Sequence, residues 1–266
     1  MEQVVRDMVG RSITEYCPGR TNEPGEIVLE VKNFCQEGLF NNISFKLRKG
    51  EILGVAGLMG AGRTEIMRAL FGVDSCKHGE VYLHGKKVCI KKPEDAIKAG
   101  IGFITENRKS EGLILDFSIS RNIALPSVDT FAKRSVINAK NETAFSEALS
   151  KKLGVKTASI DLEAGALSGG NQQKVVIAKW IGMNPSIIIM DEPTRGIDVG
   201  AKRDIYDLMN ELTSQGVAII MVSSELPEVI GMSDRILVIH EGKIAGELDH
   251  EEATQEKIIT LATGGQ

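Results

Sequence analysis

Three glycines in one short stretch have the spacing of a loop that binds phosphate. The stretch GLMGAGRTE places Gly57, Gly60 and Gly62 between an apolar segment and a helical pattern. Glycines at such positions let successive backbone N–H groups point inward at phosphate oxygens, and the positive end of the following helix adds to the attraction. A tight strand-to-helix turn without any ligand is the alternative at this point.

The stretch differs in one position from the usual phosphate-loop pattern G-x-x-x-x-G-K-[ST], because Arg63 stands where a lysine is expected. Arginine keeps the charge but presents a wider planar fork than the compact ammonium group of lysine. Thr64 supplies the hydroxyl that normally binds Mg²⁺ in such a loop. The residues predicted to bind a nucleotide are Gly57, Gly60, Ala61, Gly62, Arg63 and Thr64.

Two adjacent carboxylates, Asp191 and Glu192, follow the apolar segment SIIIM and predict a second part of the same site. Neighbouring residues at the end of a strand point to different sides, so these two cannot share one role. We expect Asp191 to hold Mg²⁺, directly or through water, and Glu192 to orient or deprotonate an attacking water. The alternative is that the pair only ends a strand on its way to a turn.

The elements around these residues alternate between short apolar strands and helices. Strand patterns cover residues 27–31, 42–48, 51–58, 101–106, 186–192, 217–224 and 235–242. Strands of this kind separated by helices predict a parallel sheet that is covered on both faces. The mostly helical stretch from about 113 to 184 would form a separate lobe inserted in that sheet.

Composition narrows the class of protein. Of the 266 residues, 26% are charged and 42% are hydrophobic, which is typical of a globular domain. The net charge of −4 gives no reason to expect nucleic acid as the main partner. Four scattered cysteines, no apolar run of about 20 residues and no apolar signal core at the start lead us to expect a cytoplasmic protein.

The stretch ALSGGNQQKVVIAKW links both parts of the predicted site to a known family. Its LSGG, at the start of a helical pattern, resembles the signature of ATP-binding-cassette (ABC) ATPases. Leu167 precedes Asp191 by 24 positions (191 − 167), which is similar to the family spacing. The resemblance covers about residues 27–249. It implies the α/β fold of a P-loop NTPase with a RecA-like parallel core sheet, an antiparallel β subdomain and an inserted helical subdomain.

The resemblance also implies that the signature serves a second cassette. In this family the signature closes on ATP held by a partner cassette, so that two ATP molecules lie between two cassettes. Ser168 and the N–H groups after it would bind the phosphate at a helix N-terminus. ATP and Mg²⁺ are the implied cofactors. The implied signature residues are Leu167, Ser168, Gly169, Gly170 and Asn171, and Asp198 belongs to the loop RGID that follows the acidic pair in the family.

Three departures from the family pattern fall on the side of the γ-phosphate and Mg²⁺, and the first is Arg63. Glu106 stands where the family usually has a glutamine that senses Mg²⁺, so it joins Thr64 and Asp191 as a candidate metal ligand. Ser224 stands where the family usually has a histidine, so it is a second catalytic candidate beside Glu192. We therefore expect an ATPase site that binds nucleotide but is weak or inactive, beside a signature that remains intact.

This combination resembles the second cassette of the two-cassette ATPase subunits of bacterial simple-sugar importers of the ribose and galactose type. The motifs ITENRKSEGL, LSGGNQQK, DEPTRGIDVGAK and VSSELPEVIGMSDRI carry the resemblance. It implies ATP hydrolysis coupled to sugar transport at the inner face of the cell membrane. The implied partners are a preceding cassette of the same or another chain, transmembrane permease subunits and, indirectly, a periplasmic sugar-binding protein.

Three alternatives remain open at this stage. One is a cassette of a nucleoside importer, and another is a regulatory module that binds nucleotide without hydrolysing it. The third is a cassette ATPase acting on DNA or ribosomes, against which the acidic charge balance argues. Phe34 and Phe40 are candidates for stacking on adenine, although each could as easily belong to the core.

The charged stretch 106–112, together with the helical lobe, is where we expect a membrane subunit to dock, and a solvated loop is the alternative.

The chain divides into five predicted segments. The segments are a linker or tail of a preceding cassette at 1–26, the N-terminal β and phosphate-loop part at 27–112, the helical subdomain with the signature at 113–180, the rest of the RecA-like core at 181–249, and a C-terminal helix or tail at 250–266.

Overall fold

The computed structural model describes Pro18, residues 23–133 and residues 136–265. The predicted tail of a preceding cassette, residues 1–26, falls almost entirely outside these ranges. The strands in chain order are β1 (Ile27–Gln36), β2 (Phe40–Arg48), β3 (Ile52–Gly57), β4 (His78–Leu83), β5 (Lys86–Val88), β6 (Ile101–Ile104), β7 (Ala132–Lys133), β8 (Val136–Ile137), β9 (Ile187–Asp191), β10 (Ala218–Val222), β11 (Arg235–His240) and β12 (Lys243–Asp249).

Within the described ranges, the larger sheet has six strands in the order β12-β11-β3-β10-β9-β6. Neighbouring strands in this sheet are parallel except β11 and β12. Every residue of β9 and β10 is buried, as expected for parallel strands that are covered on both faces. The predicted parallel core sheet is confirmed. The sequence pattern does not predict β12, because its residues KIAGELD mix charges and a glycine with apolar side chains, which is typical of a sheet edge.

A smaller sheet has the strand order β2-β1-β4-β5 in the part of the chain that the structure describes, and these pairs are antiparallel. Along β2, buried and exposed residues alternate from Ile43 to Arg48. This period of two directs one face of the strand to the core and the other to solvent. The predicted antiparallel part of the fold is therefore also confirmed.

The helices are α1 (Arg63–Phe71), α2 (Pro93–Lys98), α3 (Ile119–Ala124), α4 (Val128–Phe131), α5 (Ala139–Lys152), α6 (Gly169–Ile181), α7 (Val199–Ser214), α8 (Leu226–Met232) and α9 (Gln255–Ala262). Helices α3, α5 and α6 contact one another and form the predicted helical lobe between β6 and β9. A π-helical turn, Arg108–Gly112, connects β6 to this lobe. None of the helices described is long and apolar enough to cross a membrane.

An aromatic cluster fixes the helical lobe to the core. The ring of Phe71 in α1 lies 5.3 Å from that of Phe103 in β6 and 5.5 Å, edge to face, from that of Trp180 in α6. Gly102 permits this approach, because a Cβ at its position would lie 3.3 Å from the Cβ of Trp180. Aromatic pairs of this geometry add about 0.5–1.5 kcal/mol beyond the area that they bury. The helix that begins at Gly169 is thereby attached to the helix that follows the phosphate loop.

Lys179 is a buried cation between the helical lobe and the core. Its Nζ donates a hydrogen bond to the carbonyl oxygen of Gly112 at 2.6 Å and lies 5.0 Å from the centre of the Trp180 ring. Burial lowers the pKa of Lys179 from 10.5 to about 8, because burial disfavours the charged form. Between these two pH values, the unfolded chain therefore holds this proton more tightly than the folded chain does.

We predict that the free energy of unfolding rises more steeply with pH in the native chain than in Lys179→Met, from about pH 8 to about pH 10. The reason is that the folded native chain releases the Lys179 proton in this window while the unfolded chain retains it. Urea unfolding at several pH values measures both curves, and their difference isolates Lys179 because the other titrating groups are shared. Parallel curves would contradict the lowered pKa.

Candidate nucleotide site

The phosphate loop joins the end of β3 to the start of α1. Gly57 and Gly62 have φ angles of 155° and 97°, in the region that favours glycine. A Cβ at Gly57 would lie 2.5 Å from the carbonyl oxygen of Ile239, and one at Gly62 would lie 3.3 Å from that of Leu39. The first N–H groups of a helix have no partner within it, so the start of α1 presents donors to this loop. These features fit the binding of phosphate oxygens.

Arg63 reaches across the loop toward the ends of β9 and β10. One Nη donates a hydrogen bond to the carbonyl oxygen of Ser223 at 2.8 Å, and the other lies 3.9 Å from Oε1 of Glu192. Only 11% of either charged side chain is exposed. The guanidinium is thus held by a carbonyl and a carboxylate of the chain itself, an arrangement that the sequence does not predict.

Asp191 ends β9 as a carboxylate that is 1% exposed. Within the described residues, neither of its oxygens has a hydrogen-bond partner. Burial raises the pKa of Asp191 to about 6, while the neighbouring Thr64 hydroxyl and the Arg63 charge act in the opposite direction. An unpartnered buried carboxylate beside a hydroxyl provides the oxygen ligands that Mg²⁺ prefers.

The described residues contain no cluster of three or more His, Cys, Asp or Glu side chains that could hold a metal ion by themselves. Mg²⁺ usually binds proteins through one or two carboxylates together with phosphates of the substrate. Asp191 and Thr64 therefore fit a metal that arrives with a nucleotide, rather than one held by a closed cage of side chains.

Glu192 has a different environment from its neighbour. Its backbone is left-handed with φ of 49°, which is uncommon outside glycine, and its N–H donates to the carbonyl oxygen of Val222 at 2.9 Å. Ser224 Oγ donates to Oε2 of Glu192 at 3.2 Å. Burial raises the pKa of Glu192, against the effect of Ser224 and Arg63. The two carboxylate oxygens thus face Arg63 and Ser224 respectively.

Glu228 is a buried carboxylate that belongs to none of the sequence motifs. It is 3% exposed and accepts hydrogen bonds from the hydroxyls of Thr194, at 2.7 Å, and Ser223. Burial raises the pKa of Glu228. The carbonyl oxygen of Ser223 also accepts the hydrogen bond of Arg63. Glu228 therefore helps to position the backbone that holds Arg63. A carboxylate in an amphipathic helix is usually exposed, so the sequence carries no signal for this role.

Glu106 forms an ion pair with the side chain of Arg195, in the loop after the acidic pair. Glu106 is 39% exposed and Arg195 is 63% exposed, so water screens the pair. A Mg²⁺ ion would have to compete with Arg195 for this carboxylate. The assignment of Glu106 as a metal ligand stays a prediction.

The signature residues lie at the N-terminal end of α6. Ser168 is the N-cap residue, but its hydroxyl accepts a hydrogen bond from the Asn171 side chain at 3.0 Å instead of capping a backbone N–H. A Cβ at Gly170 would lie 3.4 Å from that of Ala201. Asp198 caps α7 by accepting the N–H of Ala201 at 3.0 Å. The fold therefore places the signature beside the Asp198 loop.

The two candidate adenine-stacking residues pack on each other. The rings of Phe34 and Phe40 stack with centres 5.6 Å apart, and these residues are 5% and 4% exposed. A cavity of about 520 Å³ lies at the same hairpin and is lined by residues 35–41 with Lys77, His78 and Glu241. It adjoins the phosphate loop through the carbonyl oxygen of Leu39, which approaches Gly62.

A family model described as ABC transporter matches residues 40–195. The matched range contains the phosphate loop, the signature and the acidic pair. It covers more than half of the chain.

Two curated relatives are each named ribose import ATP-binding protein RbsA. The protein from Bacillus licheniformis is 61% identical over 264 residues, which are 99% of this chain and 54% of the relative. The protein from Bacillus subtilis (strain 168) is 62% identical over 265 residues, which are 100% of this chain and 54% of the relative. The chain thus spans about half the length of the curated relatives it matches.

Solved structures share the fold. An ATP-binding cassette of an ABC transporter in its ADP conformation has a TM-score of 0.73 and 23% identity, over 90% of this chain and 99% of that chain. A dimeric bacterial ABC transporter cassette has a TM-score of 0.72 and 22% identity, over 84% of this chain and 98% of that chain. These likenesses show that the α/β fold is that of such cassettes.

We predict that Asp191→Asn makes the ligand-free chain more stable at pH 8, by about 1–3 kcal/mol, because it removes a buried charge whose pKa is raised. The gain should disappear as the pH falls below the carboxyl's ordinary pKa of 3.8, where Asp191 is protonated in both states. In the same variant, Mg²⁺ should no longer strengthen the binding of a fluorescent ATP analogue. Thermal unfolding and fluorescence titration measure the two effects.

The matched control is Asp207→Asn, which neutralises an aspartate that is 57% exposed on α7. It should change neither the stability at pH 8 nor the response to Mg²⁺. A loss of stability in Asp191→Asn, or an unchanged response to Mg²⁺, would contradict the assignment of Asp191.

Proposed function

This chain belongs to the ABC transporter family, and we therefore propose that it is one of two cassettes in an ATPase subunit that drives the import of a simple sugar. The observation that carries the proposal is that Thr64 and Arg63 of the phosphate loop lie beside Asp191, a buried carboxylate that has no hydrogen-bond partner among the residues that the structure describes. Ribose is the favoured sugar, because relatives that are 61% and 62% identical are named ribose import proteins. The chain spans half of their length, which fits a subunit with two cassettes.

In this proposal the chain is the second cassette. Residues 1–26 would be the tail of the preceding cassette, residues 27–112 and 181–249 would form the core lobe, residues 113–180 the helical subdomain, and residues 250–266 a C-terminal extension. The contacts of α9 with β11 and β3 support the attachment of that last segment to the core.

The proposed nucleotide is ATP with Mg²⁺. Asp191 and the Thr64 hydroxyl would hold the metal, which neutralises phosphate charge when it is bound. The N–H groups at the start of α1 would bind phosphate oxygens. Glu106 is a further proposed ligand, available only when it leaves Arg195. The cavity beside the hairpin at 35–41 would take the nucleoside end, because it adjoins the phosphate loop.

We propose that hydrolysis in this site is slow. Glu192 would have to orient or deprotonate a water, yet its oxygens face Arg63 at 3.9 Å and Ser224 at 3.2 Å. Ser224 replaces a group that could exchange a proton near neutral pH, and a serine hydroxyl cannot do so. The site would then bind ATP mainly as a contact between cassettes.

The signature is proposed to complete an active site whose phosphate loop belongs to the preceding cassette. Support comes from the exposure of Ser168 and from its hydroxyl, which is not used to cap the backbone of α6. The N–H groups of Gly169 and Gly170 at this helix start would bind the partner's phosphate. Leu167 and Asn171 would hold the start of the helix in place, and Asp198 would contribute from the adjacent loop.

The proposed setting is the inner face of the cell membrane, with transmembrane permease subunits as partners and a periplasmic sugar-binding protein as an indirect one. Docking is proposed at the segment 106–112 and the helical lobe. Exposed apolar side chains at Ile114, Phe117 and Leu162 support this position, because apolar side chains grouped on a surface are typical of interaction sites. Nucleic acid is not a proposed partner.

A regulatory module that binds nucleotide without hydrolysing it is the second candidate, favoured by the contact between Arg63 and Glu192. The two candidates differ in the role of Ser168, which is essential for turnover only in the importer.

We predict that, in the protein containing both cassettes, Ser168→Arg abolishes ATP turnover while Glu192→Gln leaves most of it. An arginine at the start of α6 would fill the space intended for the partner's phosphate, whereas Glu192 belongs to the slow site. Phosphate release in the assembled transporter measures both rates. Ser214→Arg, on the exposed end of α7, is the control and should keep the native rate. The opposite ranking of the two variants would contradict the proposed asymmetry.

The sugar is tested by reconstitution of the subunit with its permease in vesicles. We predict that a ribose-loaded binding protein stimulates ATP hydrolysis, and that a nucleoside-binding protein does not. Stimulation by the nucleoside protein alone would support a nucleoside importer. No stimulation by either, with full nucleotide binding retained, would favour the regulatory module.

A further inference from the structure

Arg108 contacts two loops that are distant in sequence. Its Nη1 donates a hydrogen bond to the carbonyl oxygen of Arg195 at 2.8 Å, and its Nη2 donates to that of Gly196 at 3.2 Å. The same Nη2 lies 2.7 Å from the position that a Cβ would take at Gly169. The guanidinium therefore lies between the first residue of α6 and the loop that precedes Asp198.

The turn that carries Arg108 is itself fixed at several points. Asn107 caps the π-helical turn by accepting the N–H groups of Lys109 and Ser110, at 3.2 and 3.3 Å. At the other end, Gly112 accepts the hydrogen bond of Lys179 from α6. Glu111 lies 3.4 Å from Arg68 of α1, within ion-pair distance. Arg108 is thus mounted on a turn that is connected to α6 and to the phosphate-loop helix.

The position of the guanidinium is unfavourable by local electrostatics alone. It lies at the positive end of the α6 dipole, where an anion is preferred over a cation. Its Nε is buried without a partner among the described residues. The two carbonyl oxygens of the 195–196 loop are therefore the contacts that hold it beside Gly169.

We propose that Arg108 is a positioning residue that fixes the signature, residues 167–171, relative to the loop 195–198. The inference rests on the proposed use of this signature by a partner's ATP. A movement of the turn would displace Arg108 from both loops at once. Docking of a partner on the segment 106–112 would in this way change the position of the signature relative to the loop 195–198.

The shape of arginine is required for this role. The planar fork directs two N–H groups at two successive carbonyl oxygens while one edge lies on Gly169. A lysine has its donors on one nitrogen and cannot span both carbonyls in the same way. Arg108→Lys should therefore behave more like Arg108→Met than like the native chain, although it keeps the charge.

The first experiment is hydrogen exchange on the chain itself. In Arg108→Met we expect faster exchange of amides both at 168–173 and at 195–201, with β9 and β10 unchanged, because local opening is reported by local exchange. Arg203→Met removes an arginine that is 60% exposed on α7 and should leave 168–173 at the native rate. Unchanged exchange at either loop in Arg108→Met, or an equal increase throughout the chain, would overturn the proposal.

The second experiment measures ATP hydrolysis by the protein with both cassettes. Arg108→Met should lower kcat about tenfold or more, because a misplacement of about 1 Å is enough for such losses. KM for ATP should change much less, since the phosphate loop of the preceding cassette would provide most of the ground-state binding. A native kcat in Arg108→Met, with Ser168→Arg inactive, would overturn the positioning role.

Ser168→Arg also separates this proposal from the proposed function. If that variant keeps full turnover, the signature does not serve an ATP site and the proposed function fails. The hydrogen-exchange result then decides by itself whether Arg108 holds the two loops together. Faster exchange at both 168–173 and 195–201 in Arg108→Met supports the positioning role, and faster exchange at only one of them rejects it.

Discussion

Asp191 places a carboxylate in the interior at the end of β9, and no residue in the described part of the chain donates a hydrogen bond to it. An isolated buried carboxylate is costly unless it is neutralised, paired or bound to a metal, and the raised pKa of Asp191 expresses that cost. The parallel sheet creates the situation, because β9, β10 and β3 are neighbours and end at the same edge. That edge also carries the phosphate loop. The Asp191 carboxylate, which destabilises the ligand-free chain, therefore lies where a metal ion and a phosphate group fit.

Two charged side chains at this edge, Arg63 and Glu192, take partners from the chain itself. Arg63 is held by the carbonyl oxygen of Ser223 and faces Glu192, while Ser224 donates to the same carboxylate. The hydroxyl of Ser223 donates a hydrogen bond to the buried carboxylate of Glu228. A cation and a carboxylate that hold each other are less free to act on a ligand. This closed network, rather than any single substitution, is the physical basis for expecting slow chemistry.

Buried contacts between α6 and the core connect the helical lobe to the same edge. The aromatic contact of Phe71 with Trp180 and the hydrogen bond of Lys179 to Gly112 fix α6 against the core. Arg108 then joins the start of α6 to the loop after the acidic pair. The start of α6 is therefore coupled to the phosphate-loop helix by packing and to the acidic edge by hydrogen bonds.

Features that depend on neighbours along the chain can be predicted from the order of the amino acids. Glycine spacing predicts the loop at 57–62, apolar runs predict the strands of the parallel sheet, and the LSGG motif predicts the start of α6, because backbone conformation and burial pattern are encoded locally. The partners of the charged side chains, in contrast, depend on how distant parts of the chain come together in the fold. Arg63 and Ser223 are 160 positions apart, and Arg108 and Arg195 are 87 apart. No local pattern encodes such pairs, because their distance is set by how the sheet brings strand ends together.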